Sequence, residues 1–221
     1  MNAFFQSKKV LVTGHTGFKG AWLCRTLQLL GADVVGYALE AQEPSLFRLA
    51  SMDTSMDSRI GDIRDLDALS AVFRQVRPEI VFHLAAQPIV ATGYEQPVDT
   101  FSTNILGTVH LLECIRQSES VRSAIIVTTD KVYAPKDSPL LEEDALGGLD
   151  PYSASKSSAE LVAQSYFASF LAPKSIPVST MRSGNVLGGG DFANNRLLPD
   201  AIRAIQNHTS LPLRNPNHVR S

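Results

Sequence analysis

The stretch Val10-Leu11-Val12-Thr13-Gly14-His15-Thr16-Gly17-Phe18-Lys19-Gly20 decides how this chain is read. Its apolar start is short and β-branched and runs straight into glycines, as a buried strand does when it feeds a turn. The glycines recur at a three-residue spacing. Gly14 permits the tight turn, Gly17 lets backbone N–H groups approach a pyrophosphate, and Gly20 lets helix and strand pack closely. From Gly20 to Leu30, Trp22, Leu23, Leu27 and Leu30 recur at helical spacing, and Gly31 stops the helix. The N-terminus of that helix offers partial positive charge to phosphates. The order strand, glycine turn, helix points to a dinucleotide cradle. No Gly-Lys-Ser/Thr triplet closes the loop, which disfavours a nucleoside triphosphatase.

Further along, the apolar segments Val34–Tyr37, Ile80–Leu84, Ala124–Val127 and Val178–Met181 read as strands, with another strand ending around Ile60-Gly61-Asp62-Ile63. Helices are expected from Asp65 to Arg74, from about Asn104 to Gln117 and from about Ser153 to Ser169. Strands this apolar and unalternating, separated by helices, predict a parallel sheet covered on both faces. The expected fold class is therefore α/β, a Rossmann-like doubly wound sheet.

The 221 residues carry 20 Lys and Arg against 22 Asp and Glu, a net charge of -2, so no basic excess exists to neutralise nucleic-acid phosphates. No apolar run approaches a membrane span, and Met1 to Lys9 lacks the apolar core of a signal peptide. Cys24 and Cys114 lie far apart in helices and form no metal or disulfide pattern. A cytoplasmic protein binding neither nucleic acid nor metal is the expectation. The polar loop from Ala134 to Pro151 is longer than most connections, and such loops tend to be functional or mobile. From Gly184 the composition shifts to Gly, Asn, Arg and Pro, and the chain stops at Ser221 without a closing element. Residues 1–183 are thus assigned to the dinucleotide domain, and residues 184–221 to the beginning of an incomplete second part.

At the far end of the cradle, Asp62 and Ile63 have two readings: an adenine contact, or a cap for the following helix. The end of the second strand reads Tyr37-Ala38-Leu39-Glu40, with neutral Ala38 where a ribose-binding carboxylate is expected and Glu40 able to substitute. No Arg or Lys stands in that segment to receive a 2′-phosphate, so NAD is favoured over NADP.

Proton chemistry is suggested by Pro151-Tyr152-Ser153-Ala154-Ser155-Lys156, where Tyr152 and Lys156 share one helix face. A phenol is a poor base near neutrality, and a cation one turn away favours its ionised form. Thr129, Asp130 and Lys131 follow the fifth strand at the carboxyl edge of the sheet, where ligands bind in such folds.

Together TGHTGFKG, TTDKVY, DPYSASK and RSGNVLGGGD resemble the nucleotide-sugar 4,6-dehydratases of the extended short-chain dehydrogenase/reductases. Lys131, where the dTDP-sugar enzymes have Glu, points toward the CDP-glucose branch. The resemblance implies a catalytic set of Thr129, Asp130, Lys131, Tyr152 and Lys156. Thr129 and Tyr152 bind the sugar 4-OH, Tyr152 takes its proton, and hydride moves from C4 to bound NAD. Asp130 protonates the departing 6-OH and Lys131 handles the C5 proton, which requires its neutral form. Hydride then returns to C6. The resemblance assigns cofactor contacts to Gly14, Thr16, Gly17, Phe18, Lys19, Gly20, Asp62, Ile63, Leu84, Ala85, Ala86, Gln87, Asn104 and Thr128, with Tyr152 and Lys156 shared. Asn185, Arg196 and Arg220 approach the nucleotide-sugar substrate. It also implies a homodimer or dimer of dimers through the helices at Asn104–Gln117 and Ser153–Ser169. The alternative on the same scaffold is a nucleotide-sugar epimerase or reductase, which has little use for Asp130-Lys131.

Overall fold

The structure, a computed structural model, describes residues 4–213. Six strands, β1 (Lys9–Thr13), β2 (Asp33–Ala38), β3 (Asp57–Ile60), β4 (Ile80–His83), β5 (Ser123–Val127) and β6 (Val178–Met181), form one sheet in the order β3-β2-β1-β4-β5-β6. Every pairing is parallel. The chain winds outward in both directions from β1 and β4, which opens a crevice beyond their carboxyl ends. The helices are α1 (Phe18–Leu29), α2 (Leu46–Leu49), α3 (Met52–Ser55), α4 (Leu66–Val76), α5 (Val90–Glu95), α6 (Pro97–Phe101), α7 (Gly107–Gln117), α8 (Pro151–Tyr166) and α9 (Leu197–Gln206). Among the described residues no helix is long and apolar enough to cross a membrane.

Successive strand residues point to opposite faces, and both faces are buried. Val10, Val12, Val34 and Ile80 pack with Ala21, Cys24 and Leu27 of α1, Phe47 of α2 and Met52 of α3. Leu11, Val35, Val81 and Ile126 pack on the other side with Leu69 and Phe73 of α4 and Leu111, Leu112 and Ile115 of α7. This explains why the sequence of β1 does not alternate. The doubly wound parallel sheet expected from the sequence is the observed one.

Boundaries differ where local hydrogen bonding decides them. Asp65, not Asp62, caps α4, its carboxylate accepting from the backbone N–H of Ala68 at 2.9 Å. The helix expected at Asn104 begins upstream at Pro97 and passes through a π-helical turn at Ser102–Leu106 before continuing as α7. Helix α8 starts two residues earlier than expected, with Asp150 accepting from the N–H of Ser153 at 3.0 Å and Pro151 supplying its first residue.

His83 joins these layers. Its Nδ1 lies 2.7 Å from the Thr13 hydroxyl and its Nε2 3.2 Å from that of Thr108. Thr108 itself donates to the carbonyl of Asn104, so it accepts from Nε2–H, and Nδ1 accepts from Thr13. These roles suit a neutral ring, which the burial of His83 favours. Burial, then the charge of Lys156, lowers its pKa to about 3, and burial lowers that of His15 to about 4 against a raising backbone hydrogen bond at Tyr37. Both folded values lie below the unfolded one, so their stabilising effect is complete above about pH 6.5. As pH falls, the unfolded chain takes up these protons first. Stability should drop by about 1.4 kcal/mol per pH unit per histidine, down to pH about 4 for His15 and about 3 for His83. Urea unfolding at pH 7, 6 and 5 should show this decline, and His83→Gln should make it shallower; equal stability at all three values would contradict neutral burial.

Candidate active site

The glycine loop is built as its spacing demands. Gly14 has φ +76°, and a Cβ there would lie 2.6 Å from the backbone nitrogen of Ala85. A Cβ at Gly20 would penetrate the Gly14 carbonyl. Gly17 is different: a Cβ would meet protein only at 3.4 Å, on the Gly14 oxygen. The fold requires glycine at 14 and 20, whereas at 17 the exposed backbone leaves a cradle that a side chain would fill. Helix α1 has no side-chain cap and no acidic residue in its first turn, so its leading N–H groups suit an anion. These features fit a dinucleotide pyrophosphate, with Leu84 and Ala85 closing the other wall.

Thr16 donates to the carbonyl of Leu39 at 2.9 Å, tying the segment beyond β2 to the loop. There Glu40 pairs with Arg48 at 3.2 Å, and Arg48 also meets Glu43 at 3.6 Å and Asp53 at 2.7 Å. The sequence reading found no cation in this segment; α2 brings one back from eight residues downstream, with three carboxylates around it. Asp62 forms a fork with Arg64, which also pairs with Asp99. Arg64 is the main reason the Asp62 carboxyl lies below its usual range. Ile63 is buried, and a Cβ on Gly107 would run into it.

Thr128 and Asn104 have their polar atoms occupied by protein. Thr128 donates to Glu160 at 2.6 Å. Asn104, turned inward by the π-helical turn, accepts from the N–H of Gln87 at 2.8 Å and donates to the Ser155 hydroxyl at 2.8 Å. Both set backbone positions: Thr128 the end of β5, Asn104 the Leu84–Gln87 segment.

At the centre, α8 presents Tyr152 and Lys156 to the end of β5. The Thr129 hydroxyl donates to Asp130 at 2.9 Å and stands beside the Tyr152 phenol, to which its single proton can turn when the phenol ionises. Burial raises the Tyr152 pKa; the Thr129 hydrogen bond and the charge of Arg196 oppose this, while Asp130 and Asp150 reinforce it. The opposing cation is thus Arg196, not Lys156 as the helical spacing suggested. Lys156 instead donates to the carbonyl of Val127 at 2.8 Å. Burial, then the charge of Lys19, lowers its pKa to about 8, against Glu160. Lys19 is itself lowered by burial and by Arg196. Lys131 is half-buried on the same turn as Asp130. Asn185 is exposed beyond β6, and Arg220 lies outside the described residues.

A second set of residues was not read from the sequence. Buried Glu160 forms a forked pair with Arg182, with N–O distances of 2.6 to 3.0 Å. Arg182 also donates to the Tyr133 hydroxyl at 2.8 Å and the Glu142 carbonyl at 2.7 Å, and its guanidinium lies 4.6 Å from the Tyr133 ring centroid. The signal was present: Glu160 lies four residues beyond Lys156, on the stripe that already held Tyr152.

Residues 10–220 match the NAD dependent epimerase/dehydratase family, and the chain belongs to that family. It is 46% identical to the CDP-glucose 4,6-dehydratase of Salmonella typhimurium over 225 residues, covering 98% of this chain and 63% of that protein. It is 28% identical to the dTDP-D-glucose 4,6-dehydratase of Dictyostelium discoideum, covering 91% of this chain and 49% of that one. The chain therefore spans less than two thirds of the length of these relatives. Among solved structures, the DesIV dTDP-glucose 4,6-dehydratase double mutant of Streptomyces venezuelae, with NAD bound, superposes with a TM-score of 0.81 at 29% identity, covering 92% of this chain and 64% of that one. MoeE5 in complex with UDP-glucose and NAD gives 0.74 at 28% identity, covering 89% and 60%.

The glycines separate folding from binding. Gly20→Ala should destabilise the protein by about 1–3 kcal/mol through overpacking against Gly14. Gly17→Ala should keep nearly the parental melting temperature yet lose most of its affinity for NAD by calorimetric titration. Undiminished binding by Gly17→Ala would remove the pyrophosphate from this loop.

Proposed function

We propose that the protein catalyses the 4,6-dehydration of CDP-glucose to CDP-4-keto-6-deoxyglucose and water, with NAD as its resident cofactor. The observation that carries this reading is the Thr129–Lys131 turn, which sets a hydroxyl, a carboxyl and an amine together at the end of β5 beside Tyr152. An epimerase or simple reductase needs the hydroxyl and the phenol alone. The identity to the Salmonella typhimurium enzyme supports the CDP-sugar over other nucleotide sugars.

Gly14, Gly17, Phe18 and Gly20 would hold the cofactor diphosphate, and Lys156 its nicotinamide ribose. Glu40, with Arg48 neutralised against it, disfavours a 2′-phosphate and so favours NAD. When bound, NAD would supply the two-electron oxidation needed at C4 and the matching reduction at C6, so that the sugar would lose only water. Thr129 and Tyr152 grip the 4-OH, and Tyr152 as phenolate takes its proton; Arg196 and the Thr129 hydrogen bond favour that ionised form. The 4-keto group acidifies C5–H. Lys131 would take up that proton while Asp130 would deliver one to the departing C6 hydroxyl, and C5 would regain a proton as C6 is reduced. One proton leaves the 4-OH and one joins the leaving hydroxyl, which balances the loss of water.

Residues 1–183 would bind the cofactor, and residues 184–221 would contribute Asn185, Arg196 and Arg220 to the nucleotide sugar. A homodimer, or a dimer of dimers, would bury the exposed Leu106 just before α7, Leu161 on α8 and Phe170 just beyond it. A cytoplasmic location accords with two free, buried thiols at Cys24 and Cys114.

The natural full-length protein, incubated with NAD and CDP-, dTDP-, UDP- or GDP-glucose, should yield the alkali-absorbing keto-sugar from CDP-glucose preferentially. Asp130→Asn should still bind NAD but lose roughly 10²-fold or more in turnover. Undiminished turnover by Asp130→Asn, or product from every nucleotide sugar except CDP-glucose, would overturn the assignment.

A further inference from the structure

Arg182 takes no part in the chemistry just described, yet it is bonded to each element that frames the acid and the amine. Two of its nitrogens, Nε and Nη2, suffice to neutralise buried Glu160. The third, Nη1, reaches away from that pair to the Tyr133 hydroxyl and the Glu142 carbonyl, with the Tyr133 ring against the guanidinium. Tyr133 immediately follows the turn that carries Asp130 and Lys131, and Glu142 lies on the long loop leading to α8. On its other side Glu160 accepts from Thr128, the residue before Thr129. The turn is thereby fixed from both ends by one ion pair. Tyr152 and Lys156, in contrast, are fixed by bonds that do not pass through Arg182: the Asp150 cap, the Lys156 bond to Val127, and Ser155 on Asn104.

We infer that Arg182 is a positioning residue for the elimination half of the reaction: anchored on Glu160, its remaining N–H groups hold Tyr133 and the Glu142 carbonyl so that Asp130 and Lys131 face the sugar gripped by Thr129 and Tyr152. The inference rests on the dehydratase reading. Loss of the fork leaves oxidation at C4 intact and slows departure of water, and it frees the outer arm of the 134–150 loop.

Two variants separate this role from bulk support of the fold. Arg182→Lys keeps a cation for Glu160 but cannot reach three partners in one plane. Tyr133→Phe deletes a single acceptor and leaves the Glu160 pair untouched. In the full-length protein with NAD, both should lower kcat about tenfold or more, with KM for CDP-glucose within about twofold. Single turnovers followed in the near-ultraviolet band of the reduced nicotinamide should show that species building up, because oxidation now outruns elimination. Before any substrate is added, limited proteolysis should cut the 134–150 loop faster in Arg182→Lys than in the parent. Wild-type kcat with no build-up in both variants would overturn the inference, as would equal slowing of oxidation and elimination. If the unaltered protein itself makes no keto-sugar, the dehydratase reading fails first, and unchanged proteolysis of Arg182→Lys then removes the loop contact as well.

Discussion

Three turns of α8 lie against the last residues of β5, and the rest of the site depends on that contact. Tyr152, Lys156 and Glu160, spaced by four, form one stripe. They meet, in order, the hydroxyl of Thr129, the carbonyl of Val127 and the hydroxyl of Thr128. Lys156 is 5% exposed and Glu160 fully buried, so neither charge is tolerable without its partner. Leaving Glu160 without Arg182 would cost about 3–5 kcal/mol, a large share of a domain's stability. The stripe is consequently held in register by penalties larger than any one hydrogen bond supplies. The Tyr152 phenol inherits that precision at the helix end, where Asp150 and Pro151 start the first turn.

Positive charge gathers above this contact from three separate elements. Lys19 comes from the first turn of α1, Lys156 from α8 and Arg196 from the residue that precedes α9. Their mutual repulsion is visible in Lys156 and Lys19, both lowered first by burial and then by a neighbouring cation. Such a concentration complements the two diphosphates that the proposed reaction brings together, one on the cofactor and one on the sugar. It also keeps a cation near Tyr152, whose burial otherwise disfavours the phenolate.

Much of this was legible in the residues themselves. The glycine spacing placed the cradle because only glycine tolerates the Gly14–Ala85 and Gly14–Gly20 approaches, and that steric demand is written locally. Strands buried on both faces announced the parallel sheet for the same reason. Legibility ended where partners come from distant sequence. Nothing near Glu40 shows that α2 folds Arg48 back onto it, and nothing in the TTDKVY segment shows that Tyr133 is held by an Arg 49 residues later. The spacing of Tyr152 and Lys156 was read correctly as one face, but the direction of the Lys156 amine was not, because the Val127 carbonyl that takes it lies on another element. Of the two readings left open for Asp62, the cap fails because Asp65, three residues closer to the helix, accepts from the N–H of Ala68.

In the proposed reaction, the residues at the end of β5 and on α8 would act on C4 and on the C5–C6 bond of one sugar, and the hydrogen taken from C4 would return to C6 without exchange. CDP-glucose carrying deuterium at C4 tests it most directly. With the full-length protein and unlabelled NAD, the account predicts keto-sugar bearing that deuterium at C6. Product with hydrogen alone at C6, or deuterium retained at C4 in an epimerised sugar, would contradict it.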